Sequence, residues 1–416
     1  MQGNLRHMPA ICTLFVVLAG ALTTAQAQTV SLQQSLDLAL ASSPEVMQAE
    51  ARMEAARASL TAVQAFHNPE LEYLAGETTS RQTGSSGRNE IIGLSQPLDL
   101  AGQRMARRDV AQARVDMFEA ALESSRLQKR SEVKRHYFDV LKRKQEVVLA
   151  QENLALLEQI RNRVKIKVNV GESPRYELVK AEAETLAAES ALGSAELRVG
   201  QALDALRRVL GVNLQEALDI EDEPLARPEL PALVELKQEL VSTHPLLREA
   251  AANVRGSNAN IEQERSARWS QITVKLASER DPDNSVWRVG VSVPIPIWNR
   301  RAGQIQEAQS VRHQAQAEEL RVQHDLVSAL NQAYGQYEIS RRQVEAFESG
   351  LMKEAESALR VAEAAYRFGE RGIIDYLDAQ RIWRNAQVDF LNARFELQMA
   401  LIEIERIRAL PLMGEM

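Results

Sequence analysis

Asp375 and Asp378 are an acidic pair set just past a glycine turn. They close the stretch Tyr366-Arg367-Phe368-Gly369-Glu370-Arg371-Gly372-Ile373-Ile374-Asp375-Tyr376-Leu377-Asp378. Three residues apart, they share one face of a helix. Carboxylates at that spacing can collect cations, or they can sit at a helix start where the macrodipole favours negative charge. The residues alone leave both readings open. Other chemistry-bearing types are sparse. His67, His136, His244, His313 and His324 show no ligand or triad spacing, and there is no glycine-rich phosphate loop. The single cysteine, Cys12, lies near the N-terminus. The acidic run Asp219, Glu221, Asp222 and Glu223 falls among prolines and reads as a solvated connection rather than a cation site. Catalysis has no residue set to work with, so the chain reads as a non-enzyme with no cofactor and no metal site.

The elements that must position the acidic pair are long helices. About fifty helix-compatible residues precede the glycines and about forty follow them, a hairpin over roughly 311–410. A shorter echo of its tip, Val170-Gly171-Glu172-Ser173-Pro174-Arg175-Tyr176-Glu177-Leu178, lies some two hundred residues earlier. Before that echo, 101–168 has no proline and no glycine after Gly102. At about 1.5 Å per residue this stretch makes a rod of roughly 100 Å. Helices flank Ser43-Pro44, and Phe66-His67-Asn68-Pro69 ends the second of them.

The hydrophobic period then changes to two, which predicts a strand pair over about 69–98. After the linker 213–235 the order begins again. Thr243-His244-Pro245 answers Ser42-Ser43-Pro44, and a second strand pair over about 270–294 answers the first. Gly369 answers Gly171, and Asp375 answers Glu177. The chain therefore divides into 1–27, a first repeat 28–212, the linker, and a second repeat 236–416. Residues 1–27 read as a signal peptide. Arg6 and His7 precede an apolar run from Ile11 to Leu22, and Ala25-Gln26-Ala27 supplies the cleavage site, so Gln28 begins the mature chain. Pro9-Ala10-Ile11 before Cys12 is not a lipoprotein box, so no lipid anchor is expected.

Composition agrees with long helices, since aromatics make up only 5% of 416 residues. The net charge of −7 is spread along the chain and predicts no nucleic-acid partner. No segment has about 18 consecutive apolar residues, so a transmembrane helix is not expected. The strands offer another route into a membrane. Ile272, Val274 and Leu276 alternate with Thr273 and Lys275, and Trp287, Val289 and Val291 alternate with Arg288 and Gly290. Such strands suit a lipid-facing barrel with a wet interior, with Trp269, Trp287 and Trp298 at the interface, or surface hairpins packed on helices. Four strands cannot close a barrel, so a membrane role demands more than one copy.

The duplicated units, the two glycine tips and the strand ends Gly93-Leu94-Ser95-Gln96-Pro97 and Gly290-Val291-Ser292-Val293-Pro294 together resemble the TolC family of outer membrane efflux proteins. Gly171-Glu172 and Gly369-Glu370 make the chain look most like the CzcC-like, heavy-metal branch. The resemblance implies a mainly α fold with a transmembrane β part. In it a homotrimer forms a 12-stranded barrel in the outer membrane lipid, continued by a periplasmic α-helical barrel. It implies docking through a periplasmic adaptor onto an inner-membrane pump of RND type. It places Asp375 and Asp378 at a pore constriction, six carboxylates around one axis, where crowding would raise their pKa and favour cations. Tyr366, Arg371 and Glu177 take the positions of an entrance latch, with Glu177 standing where an aspartate is more familiar. Val170, Gly171, Glu172, Phe368, Gly369 and Glu370 take the adaptor-docking tips, with a glutamate in place of the usual leucine. Metal efflux follows from the branch alone; drug or organic-solute efflux and type I secretion are the alternatives within the family. A soluble periplasmic coiled-coil adaptor is the more distant one, since such adaptors carry one hairpin and separate β-domains.

Overall fold

The computed structural model describes residues 28–411, apart from 82–83, 101, 212–217, 270 and 282. The expected leader 1–27 with Cys12, the start of the linker and Ser270 lie outside the described residues. The chain builds one unit twice. The first copy runs β1 (Gln28–Val30), α1 (Leu32–Ser42), α2 (Pro44–Gln64), β2 (Glu70–Thr79), β3 (Ser86–Leu98), α3 (Gln103–Asn169) and α4 (Arg175–Leu210). The second runs β4 (Leu218–Ile220), α5 (Leu233–Thr243), α6 (Pro245–Ser266), β5 (Ile272–Arg280), β6 (Ser285–Ser292), α7 (Ala302–Ala346), α8 (Met352–Arg367) and α9 (Ile373–Arg408). Helices α1 and α5 both have 11 residues, and α4 and α9 both have 36.

Local chemistry sets the helix starts, and α2 and α6 begin alike in the two copies. Ser31 and Gln34 close a capping box on α1. Ser43 caps α2, its Oγ accepting from the Val46 N–H, with Pro44 in the first turn where a missing N–H costs nothing. In the second copy His244 takes the same place before Pro245, and its Nδ1 accepts from the Leu246 N–H at 3.1 Å.

The helices stand side by side as a palisade. Above the waist the order is α2, α3, α6, α7; below it the order is α4, α3, α9, then α7 continued by α8. Helix α3 runs the full height, 67 residues and about 100 Å long. Ion pairs stitch α3 to its neighbours, among them Arg248–Glu123 at 2.5 Å, Arg255–Asp116 at 3.1 Å and Lys134–Glu405 at 2.6 Å. Each row of helices ends in an open edge, α2 and α7 above, α4 and α8 below.

One antiparallel sheet crowns the palisade, in the order β2-β3-β5-β6, so the two repeats meet at β3–β5. The first strand pair spans 70–98 and the second 272–292. Beneath the sheet a polar knot ties the copies together: Gln271 donates to Asp99 at 3.2 Å, and Asp99 also takes Arg107.

Two features depart from the sequence reading. The linker is not solvated throughout: Leu218 and Ile220 are buried, β4 pairs in parallel with β1, and Asp219 takes Lys144 at 2.6 Å. Tyr137, buried beneath this pair, donates to the carbonyl oxygens of Val30 and Glu221. The second long helix is also interrupted. A wide turn at Phe347–Leu351 parts α7 from α8, fixed by Arg227–Glu348 at 2.8 Å and by Phe347 against Phe390. Such a turn inserts one residue. It accounts for the repeat offset stepping from 197 at Gly93 and Gly290 to 198 at Gly171 and Gly369.

His244 carries a pH dependence. Its side chain is buried, its Nε2 has no partner, and burial, helped by the positive Arg406, pushes its pKa down to about 4. The unfolded chain takes up this proton near pH 6.5 and the folded chain does not, so stability is complete above about 6.5 and is lost as pH falls towards 4. The loss amounts to roughly 3 kcal/mol across that window. Thermal melts at pH 7 and pH 5 should show about 2 kcal/mol of this drop, and His244→Asn, which keeps a capping acceptor, should flatten it.

Candidate functional site

Three places carry the residues singled out in sequence: the two hairpin tips, the first turns of α9, and the sheet. The tips are built the same way. In the first, the Gly171 N–H donates to the Val168 carbonyl at 3.1 Å and the Glu172 N–H reaches the Lys167 carbonyl at 2.8 Å. In the second, Gly369 reaches Tyr366 at 3.2 Å and Glu370 reaches Ala365 at 2.9 Å. This crossed pair of bonds ends a helix with a left-handed residue, and glycine fills that place at φ +83° and +77°. The residue before each glycine, Val170 and Phe368, stands exposed at 64% and 72%, and Glu172 and Glu370 project beside them.

Behind the tips lies a small core of its own, with Ile160, Val164, Ala181, Tyr366, Ile373, Tyr376 and Leu377 closely packed. Tyr366 is 5% exposed; its ring stacks on Tyr376 at 5.9 Å, and Lys167 sits over it with Nζ 4.4 Å from the centroid. Lys167 also donates to the Tyr366 carbonyl at 3.1 Å. Burial and the nearby Glu177 charge push the Tyr366 phenol up. Tyr366 Oη and Glu177 Oε2 are both buried without a hydrogen-bond partner.

Tyr366 and Glu177 are thus brought together within one protomer, while Arg371 is not. Its guanidinium is exposed and lies 3.6 Å from Asp375. Asp375 and Asp378 project from the free face of α9, opposite the buried Ile373, Tyr376 and Leu377, each side chain about half exposed. Asp378 meets Arg381 at 3.3 Å, and Arg381 bridges on to Glu184 of α4 at 2.8 Å. Each aspartate of a single protomer therefore has one arginine beside it. Sequence reasoning missed Lys167 and Arg381. Arg381 had a visible signal, since it follows Asp378 at the three-residue spacing that pairs charges on a helix.

The sheet sorts its faces by register. Leu71, Leu94, Leu276 and Val289 are mutual cross-strand partners, as are Tyr73, Ile92, Ser278 and Trp287. Cross-strand partners share a face. Val274 and Val291 extend the apolar face downward. The opposite face carries Glu70, Ser95, Lys275 and Gly290 in one row and Glu72, Gly93, Ala277 and Arg288 in the next. Among the described residues no helix packs across either face, and Leu71, Val289 and Trp287 are all more than 70% exposed. Trp287 stands near the β5–β6 turn, while Trp269 and Trp298, both exposed, flank the helical end of the same strands.

Among the described residues no cluster of three acidic, histidine or cysteine side chains is placed to hold a metal, and no helix is long and apolar enough to cross a membrane. Comparison with known proteins gives a family match and a fold match. The family described as Outer membrane efflux protein matches residues 35–212 and 236–409, one stretch for each repeat. The cobalt-zinc-cadmium resistance protein CzcC of Cupriavidus metallidurans is 26% identical over 91% of this chain and 89% of its own. The outer membrane efflux protein BepC of Brucella suis is 26% identical over 64% of this chain and 59% of its own. The crystal structure of the CmeC outer membrane channel of Campylobacter jejuni superposes with a TM-score of 0.76 at 19% identity, over 98% of this chain and 94% of that one.

The packing around Tyr366 predicts a split between two substitutions. Tyr366→Ala should loosen the tip by about 3–5 kcal/mol, the cost of emptying a buried aromatic site. Tyr366→Phe removes a hydroxyl without a partner and should cost under about 1 kcal/mol. Hydrogen exchange over 363–380 reads both, and a large effect of Tyr366→Phe would mean that the hydroxyl is bonded.

Proposed function

The chain belongs to the outer membrane efflux protein family, and from that premise we propose that it is the exit duct of a tripartite pump for heavy-metal cations. The sheet is the observation that carries the duct. It has one apolar face, one polar face and two open edges, β2 and β6, above a palisade whose longest helix, α3, is about 100 Å long. Strands β2 and β6 run in opposite directions, so β6 of one copy can continue antiparallel into β2 of the next. Three copies then give twelve strands with no edge, lipid outside and water within. The helical palisade closes in the same way and reaches through the periplasm towards an adaptor and an inner-membrane pump of RND type.

At the far end the glycine tips with Val170, Glu172, Phe368 and Glu370 are the docking face for the adaptor. The exposed glutamates favour a partner surface with basic or polar groups. Asp375 and Asp378 from three copies form the narrow ring. Arg371 has two places to go, Asp375 within its own protomer or an acidic group such as Glu177 across the axis. That competition makes it the movable part of the latch, with Tyr366 and Glu177 as the fixed part.

The metal assignment rests on the likeness to CzcC alone, since the pump does most of the selecting. Asp375→Asn with Asp378→Asn should change conductance and relieve block by divalent cations in lipid bilayers. Unchanged conductance and block would remove the ring. Deletion of the gene should sensitise cells to cobalt, zinc or cadmium salts more than to drugs or detergents. The reverse order would point to an organic-solute duct of the same family.

A further inference from the structure

Internal duplication fixes a contact that a single protomer cannot make. Within the protomer α6 lies antiparallel on α3 in one register: Arg248 meets Glu123 at 2.5 Å and Arg255 meets Asp116 at 3.1 Å. The backbones approach at Gly256, where a Cβ would lie 3.4 Å from that of Ala113. Helix α2 is the earlier copy of α6, offset by 201 residues, as Pro44 and Pro245 show. Helix α7 is the later copy of α3, offset by 197 above the wide turn, as Gly93 and Gly290 show. Helices α2 and α7 are also the two open edges of the upper palisade.

We propose that α7 takes α2 of a second copy of this chain in the register that α3 takes α6, which rests on the trimeric reading above and adds the side-chain pairing to it. The Arg248–Glu123 position then holds Leu320 against Met47 of the partner subunit. Both side chains are left exposed in the lone protomer, at 56% and 57%. The Arg255–Asp116 position holds His313 facing the partner's Glu54, a pair of opposite polarity to its template. The close approach of Gly256 and Ala113 becomes Ser310 beside the partner's Ala55, small on small as the spacing requires. A half-exposed ion pair of the internal seam has thus become an apolar pair in the external one, which gives the exposed Met47 and Leu320 each a partner.

Cysteine pairing reads the register directly, because Cys12, the sole native cysteine, lies in the segment expected to be removed. A disulfide needs Cα atoms within about 7 Å. Ala55→Cys with Ser310→Cys, at the place of the close Gly256–Ala113 approach, should give a covalent three-chain band under mild oxidation in the outer membrane, and neither single variant should. Met47→Cys with His313→Cys, two helical turns out of register, should give none. A heat-sensitive trimer without the first cross-link, or with the second in its place, would overturn the register and leave the duct standing. A wild-type chain that never runs as a trimer would overturn both. As a second reading, Glu54→Arg should lower the temperature at which the trimer dissociates, and adding His313→Glu should restore it. No recovery in the double variant would contradict the pairing.

Discussion

A strand edge cannot be left open in hydrocarbon. Each unpaired N–H and carbonyl of β2 and β6 would lose its water and gain nothing, at several kcal/mol apiece. The apolar face of the sheet, from Leu71 across to Val289, has no helix to cover it and is equally unsuited to water. Lipid satisfies the face, and another copy satisfies the edges. Both demands are met when the sheet closes on itself through symmetry, which is why one protomer of this chain is a stave and not a vessel.

The helices follow from the same closure. A palisade that continues a barrel must have as many open edges as the sheet, and duplication supplies them in matched pairs. Helix α2 copies α6 and α7 copies α3, so every outward edge resembles a contact already made inside. Small side chains and heptad-like spacing let these long helices lie close, and ion pairs such as Arg255–Asp116 set their register. The core is accordingly divided: one cluster sits behind the tips, and two lie at the waist, where α1, α5 and the β1–β4 pair brace the rods.

Much of this was legible in the sequence because it is written in local codes. Ser43-Pro44 and His244-Pro245 mark equivalent helix starts, and Gly171 and Gly369 mark positions that need a left-handed backbone. The alternation from Ile272 to Val291 marks two faces of a sheet. What could not be read was tertiary in origin. Three-residue strands such as β1 and β4 carry no period, and they lie where Tyr137 donates to the carbonyls of Val30 and of Glu221 just after β4. The wide turn at Phe347–Leu351 sits in a run with ordinary helical preference and shows in sequence only as a one-residue step in the repeat. At the tip, the family resemblance named Tyr366, Glu177 and Arg371 together, but it does not say that Arg371 has an acceptor one turn away in Asp375.

The tip therefore holds a choice of partners while the sheet holds none, and function divides along that line. In the proposed duct the membrane end is fixed by closure, and the periplasmic end can rearrange because Arg371 would have a second acceptor besides Asp375. Closure is the claim on which everything else depends, and native mass spectrometry of the detergent-solubilised protein tests it most directly. Closure of the four-stranded sheet predicts a mass of three chains. A stable, lipid-soluble single chain would contradict it, for its edges would then be tolerated where physics says they cannot be.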